Sequence, residues 1–136
     1  MRIITIVFLL LSFSAMAKDQ IVTLSELQIL YDKLNISTFR SSLMPKRTKD
    51  MVYLSQAGLP APEYFSNGFS IDNKDWIYTF SVIEKKDKNR DGVVDYTICF
   101  ADKSKTGTYH SVQPMLISPL GIDGQFIALS FTVDGC

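Results

Sequence analysis

Nine consecutive residues, Asp87-Lys88-Asn89-Arg90-Asp91-Gly92-Val93-Val94-Asp95, place oxygen-bearing side chains at their first, third, fifth and ninth positions and a glycine at the sixth. The chemistry this spacing offers is capture of a hard cation. Calcium takes about six to eight oxygen ligands, and a glycine permits the sharp turn that gathers them. The other reading of the same residues is a plain β-hairpin, because Asp91-Gly92 is a dipeptide favoured by tight hairpin turns and the surrounding charges can stay solvated.

The pattern resembles the first nine positions of the calcium loops of EF-hand and dockerin-type proteins. That resemblance implies side-chain ligation by Asp87, Asn89 and Asp91, a carbonyl from Val93, and Asp95 ligating directly or through water. It covers these nine residues and carries no fold for the remainder. The twelfth position is Ile98, where those families have a bidentate glutamate, and the flanks alternate like strands where an EF-hand has helices. A site of this kind belongs to the weak, millimolar class of extracellular modules. Ca2+ is the one cofactor the sequence suggests, and none is required.

Support for catalysis is thin. His110 is the single histidine, and nothing near it in sequence forms a nucleophile motif. Of the three glutamates, Glu26 is accounted for by helix capping, and Glu63 and Glu84 form no carboxylate pair that spacing alone can propose. The chain is therefore expected not to be an enzyme. Cys99 and Cys136, an even count, are expected to form one disulfide. The dense basic group Lys46-Arg47-Lys49 has no interleaved aromatics, and acidic and basic residues balance at 14 each, so nucleic acid is not an expected partner. Tyr64 and Phe65, in the proline-stiffened stretch Gly58 to Phe69, are candidate partner-binding aromatics; the alternative is that they lie over the sheet edge.

These groups need a scaffold, and hydrophobic periodicity outlines it. Thr23-Leu24-Ser25-Glu26 has the spacing of a capping box, with Val22 and Leu27 as its hydrophobic staple. Leu24, Leu27, Tyr31 and Leu34 then share one face of a helix ending near Asn35. Thr48, Met51, Tyr53, Leu54 and Ala57 suggest a second helix stopped by Gly58-Leu59-Pro60, with Met51 to Leu54 as a short strand the alternative. From Gly68 onward the period is two. Trp76, Tyr78, Phe80 and Val82 share a face of one strand, Val94, Tyr96, Ile98 and Phe100 of the next, and Ile127, Leu129, Phe131 and Val133 of the last. Cys99 and Cys136 have the opposite parity, which sets the disulfide on the less apolar side of the sheet. Pro114 argues for an edge or a break in the strand between Thr108 and Ser118. The expected class is α+β: one or two N-terminal helices packed on a four- to five-stranded antiparallel sheet that buries the Trp76 and Ile127 stripes. As architecture alone, this resembles cystatin-type folds.

The N-terminus suggests where the domain works. Arg2, an apolar run from Ile3 to Phe13 and Ala15-Met16-Ala17 form a signal peptide, residues 1–17, cleaved after Ala17. The run is short of the about 20 residues a membrane span needs, so no stable membrane insertion is expected after cleavage. Lys18 to Cys136 then forms a single domain, periplasmic or secreted. In class, it resembles the lysozyme inhibitors and immunity proteins exported by bacteria. On that likeness its function would be non-enzymatic occlusion of a partner protein such as a cell-wall hydrolase or toxin. The alternative is a calcium-binding structural or adhesive surface module built on residues 87–95.

Overall fold

The computed structural model describes residues 21–40, 48–120 and 122–136. The expected signal peptide, and Lys46 and Arg47 of the basic group, lie outside them. Among the described residues, no helix is long and apolar enough to cross a membrane.

Helix α1 spans Leu24–Lys33 and starts on the predicted capping box. The Glu26 amide donates to Thr23 Oγ1 at 3.2 Å, and the Thr23 amide donates to the Glu26 carboxylate at 2.7 Å. Two otherwise free donors of the first turn are thereby satisfied. Val22 and Leu27 are both buried, as the staple requires, and the buried face continues through Leu30 to Leu34. Leu24, expected on that face, is 53% exposed, and Leu30 takes its share.

The sheet has six strands, more than the four or five expected: β1 (Glu63–Phe65), β2 (Gly68–Asp72), β3 (Trp76–Lys86), β4 (Asp95–Ser104), β5 (His110–Ser118) and β6 (Ile127–Leu129). They pair antiparallel in sequence order. The extra strand, β1, comes from the proline-stiffened link, which closes a hairpin with β2. Gly68 is required there, since a Cβ would lie 2.0 Å from the Phe80 carbonyl oxygen. The expected second helix does not form. Only a single 3-10 turn, Leu54–Gln56, appears, and Tyr53 bridges Asn35 in extended backbone. Leu54 N–H donates to the Leu34 carbonyl and Ile36 N–H to the Val52 carbonyl, so this segment satisfies part of its backbone against the residues after α1 and the rest in short local turns.

The core fills the space between α1 and one face of β2–β5. Phe69 and Phe80 stack at 4.8 Å, Phe80 meets Phe100 at 4.9 Å, and Ile71, Tyr78, Val82, Ile98 and Ile117 surround them. Trp76 packs half-buried at the end of its stripe, as expected. The last strand is turned over relative to expectation. Phe126 and Ala128 face this core, whereas Ile127 and Leu129 lie on the opposite face beside Ser118 and Leu116. Pairing stops at Leu129, and Phe131 is exposed. Alternation alone could not show which face of so short a strand would meet the core.

A bulge at Ile83 shifts the β3–β4 register. Before it, even-numbered residues face α1; after it, Lys85 does, opposite Tyr96. Lys85 therefore forms an ion pair with Glu26 and stands 5.8 Å above the Tyr96 ring. Burial alone would raise the Glu26 pKa, but the Lys85 ammonium and the Thr23 amide outweigh it and hold that carboxyl below its ordinary range.

Residues 130–136 form no strand and the even-numbered side of β6 faces the core, so parity misplaces Cys136; the irregular chain nevertheless brings it to the expected face. Cys136 is bonded to Cys99 on the face opposite the core, at a sequence separation of 37. Val133 is buried on the way, and Gly135 lies against Ile83. Replacing both cysteines by alanine is expected to lower stability by roughly 4 kcal/mol through lost loop-closure constraint. The loss should be read in urea as a lower midpoint at nearly unchanged slope.

Candidate metal centre in the β3–β4 hairpin

The chain leaves β3 at Lys86 and enters β4 at Asp95, so the nine-residue motif forms the connection between the two longest strands. Its own carboxylates curl it. Asp87 accepts the amides of Asp91 at 3.2 Å and Gly92 at 2.9 Å, Asp91 Oδ1 accepts the Val93 amide at 2.9 Å, and Asp95 Oδ2 accepts the Lys88 amide at 2.9 Å. Gly92 sits at φ +86°, a left-handed conformation that glycine adopts without Cβ strain.

The curl brings one carboxylate oxygen from each of Asp87, Asp91 and Asp95 within 4.8 Å of the others. Asp91 is exposed, Asp87 half-buried and Asp95 fully buried. The buried member is unfinished: Asp95 Oδ1 has no hydrogen-bond partner, and neither does the buried Oδ1 of Asn89. Burying a carboxylate oxygen without a partner costs several times what a satisfied one does. A cation among these oxygens would remove that cost. An all-oxygen donor set suits calcium better than zinc, which favours nitrogen and sulfur ligands.

Ile98 cannot complete the shell. It is fully buried in the core, on the face of β4 opposite Asp95. Sequence reasoning missed a different neighbour. Continuing the β4–β5 register one residue beyond Tyr96 and Ile117 sets Asp95 opposite Ser118, whose Oγ is buried without a partner. Thr97, two residues along the same face, has an equally buried and unpartnered Oγ1. Only strand register, invisible in one sequence, could have found this pair.

The remaining singled-out residues lie elsewhere. Tyr64 packs edge-to-face on Phe69 at 5.9 Å, half-buried, and burial together with the Asp32 charge raises its phenol pKa. Phe65, next along the strand, is 41% exposed, with its ring against Gly68. The two aromatics therefore do not form one patch. His110 is exposed at the start of β5. A cleft of about 380 Å3 lies between Thr38–Phe39, the Gln113–Met115 stretch of β5 and residues 128–133; its lining has no carboxylate, histidine or cysteine. Beside it, β6 covers β5 only from Leu116 to Ser118, so the outer edge from His110 to Met115 carries no strand among the described residues.

Asp95→Asn is expected to abolish calcium binding measured by titration calorimetry. Ser118→Ala should leave the stability of the calcium-free protein within about 0.5 kcal/mol, because the lost hydroxyl has no hydrogen-bond partner. Comparison of the chain with protein-family models, with curated proteins and with solved structures finds no match, so the hairpin's chemistry must be read from its own residues.

Proposed function

We propose that the chain is a non-enzymatic binding domain of the periplasm or cell exterior that takes one Ca2+ in its β3–β4 hairpin. The observation that carries this reading is the fully buried Asp95, which converges with Asp87 and Asp91 while its Oδ1 lacks any partner. A weak site suits a compartment where calcium is abundant. Residues 1–17 and the Cys99–Cys136 bond support such a compartment, since disulfides persist outside the reducing cytoplasm.

A second reading is favoured by a separate feature. The outer edge of β5, strand-free among the described residues, and the cleft beside it are suited to contact with another chain, because exposed strand backbone accepts an added strand. On that reading the domain occludes a partner such as a cell-wall hydrolase or toxin, with or without calcium.

Thermal unfolding of the oxidised protein tests the calcium reading. With a millimolar dissociation constant, about 10 mM Ca2+ should stabilise the domain by roughly 1.4 kcal/mol, raising Tm by about 5 °C, with a smaller effect from Mg2+, which gives up its water reluctantly. Equal shifts from both ions, or none, would remove the calcium reading.

A further inference from the structure

We infer that the ion in this hairpin keeps open coordination positions on its solvent side and that a carboxylate of an acidic peptide segment fills them, making the calcium a bridge to a protein partner. This rests on the calcium reading above. Asp87, Asn89, Asp91, the Val93 carbonyl and Asp95 offer about five oxygens, against the six to eight that calcium takes. Asp95 Oδ2 is already held by the Lys88 amide, and Ile98 at the twelfth position is buried on the far face. The shell is therefore short by one to three ligands. Asp95 forms the buried wall of the cluster, while Asp91 and Gly92 are exposed, so the open positions face solvent.

Charge sets the class of ligand. Glu84 is paired with Lys88 and Glu26 with Lys85. Lys86 and Arg90 are exposed and make no ion pair among the described residues. With the ion bound, its two charges and these two cations outweigh the three clustered carboxylates, and an incoming anion is favoured. Val94, 47% exposed within the loop, gives an aliphatic contact that a peptide side chain can use and a sugar ring uses poorly.

Terbium in place of calcium tests this directly, because its emission lifetimes in light and heavy water count the waters on the bound ion. The terbium-loaded oxidised protein should hold at least about one water. A blocked peptide containing Asp and Glu should displace them at millimolar concentration, and Arg90→Gln should weaken that displacement several-fold with the water count of the peptide-free form unchanged. Terbium bound with no water would overturn the bridge while leaving the cation site standing. Failure to bind terbium or calcium at all would remove the calcium reading itself. Displacement of water by oligogalacturonate and not by the peptide would overturn the protein partner in favour of an acidic saccharide, and displacement by neither would overturn the bridge.

Discussion

Successive side chains of a β-strand must point to opposite faces, and on β4 that constraint distributes every task in the molecule. Tyr96, Ile98 and Phe100 go to the α1 side, where they join the aromatic core. Asp95, Thr97 and Cys99 go to the other side, where they provide the buried member of the carboxylate cluster, an unpartnered hydroxyl and the anchor of the C-terminal segment. The same alternation explains why an EF-hand-like loop stops short here. Its twelfth position falls on the core face, where a charged glutamate would be buried without water at a cost larger than any ligation it could offer from that side.

The two faces differ in how completely they are satisfied. The α1 side is filled mainly by apolar groups, with rings at 4.8–4.9 Å, and also buries Asp102 in register with Tyr78. The opposite side, near the hairpin, buries the oxygens of Asp95, Thr97 and Ser118 without partners. Native interiors rarely leave such groups unmade. Their concentration beside three converging carboxylates sets this end of the sheet apart from the remainder of the fold. The Ile83 bulge keeps the two regions electrostatically separate: by turning Lys85 toward Glu26 it commits that cation to the helix, leaving Lys86 and Arg90 near the loop.

Much of this was legible in the sequence where a local rule acts over a long segment. The capping box at Thr23 and Glu26, the stripes of β3 and β4, the edge character of the strand holding Pro114 and the face on which Cys99 lies follow from spacing and parity alone. What was not legible depends on partners distant in the chain. Thr48 to Ala57 had a helical pattern, but the chain after α1 offered its backbone a pairing partner and the extended alternative at Met51 to Tyr53 prevailed. The face of β6 was decided by Phe126, a bulkier apolar group than Ile127, meeting Tyr96 edge-to-face at 5.5 Å. The loop's ligand spacing was readable, whereas the proximity of Ser118 to Asp95 required the register of β4 with β5.

A crystal structure of the oxidised protein grown in calcium, with anomalous scattering recorded, tests the central claim most directly. The account predicts one anomalous peak in the β3–β4 hairpin, about 2.3–2.6 Å from oxygens of Asp87, Asp91, Asp95 and the Val93 carbonyl. A hairpin with no peak at saturating calcium, and Asp95 Oδ1 bonded instead to the Ser118 hydroxyl, would contradict it.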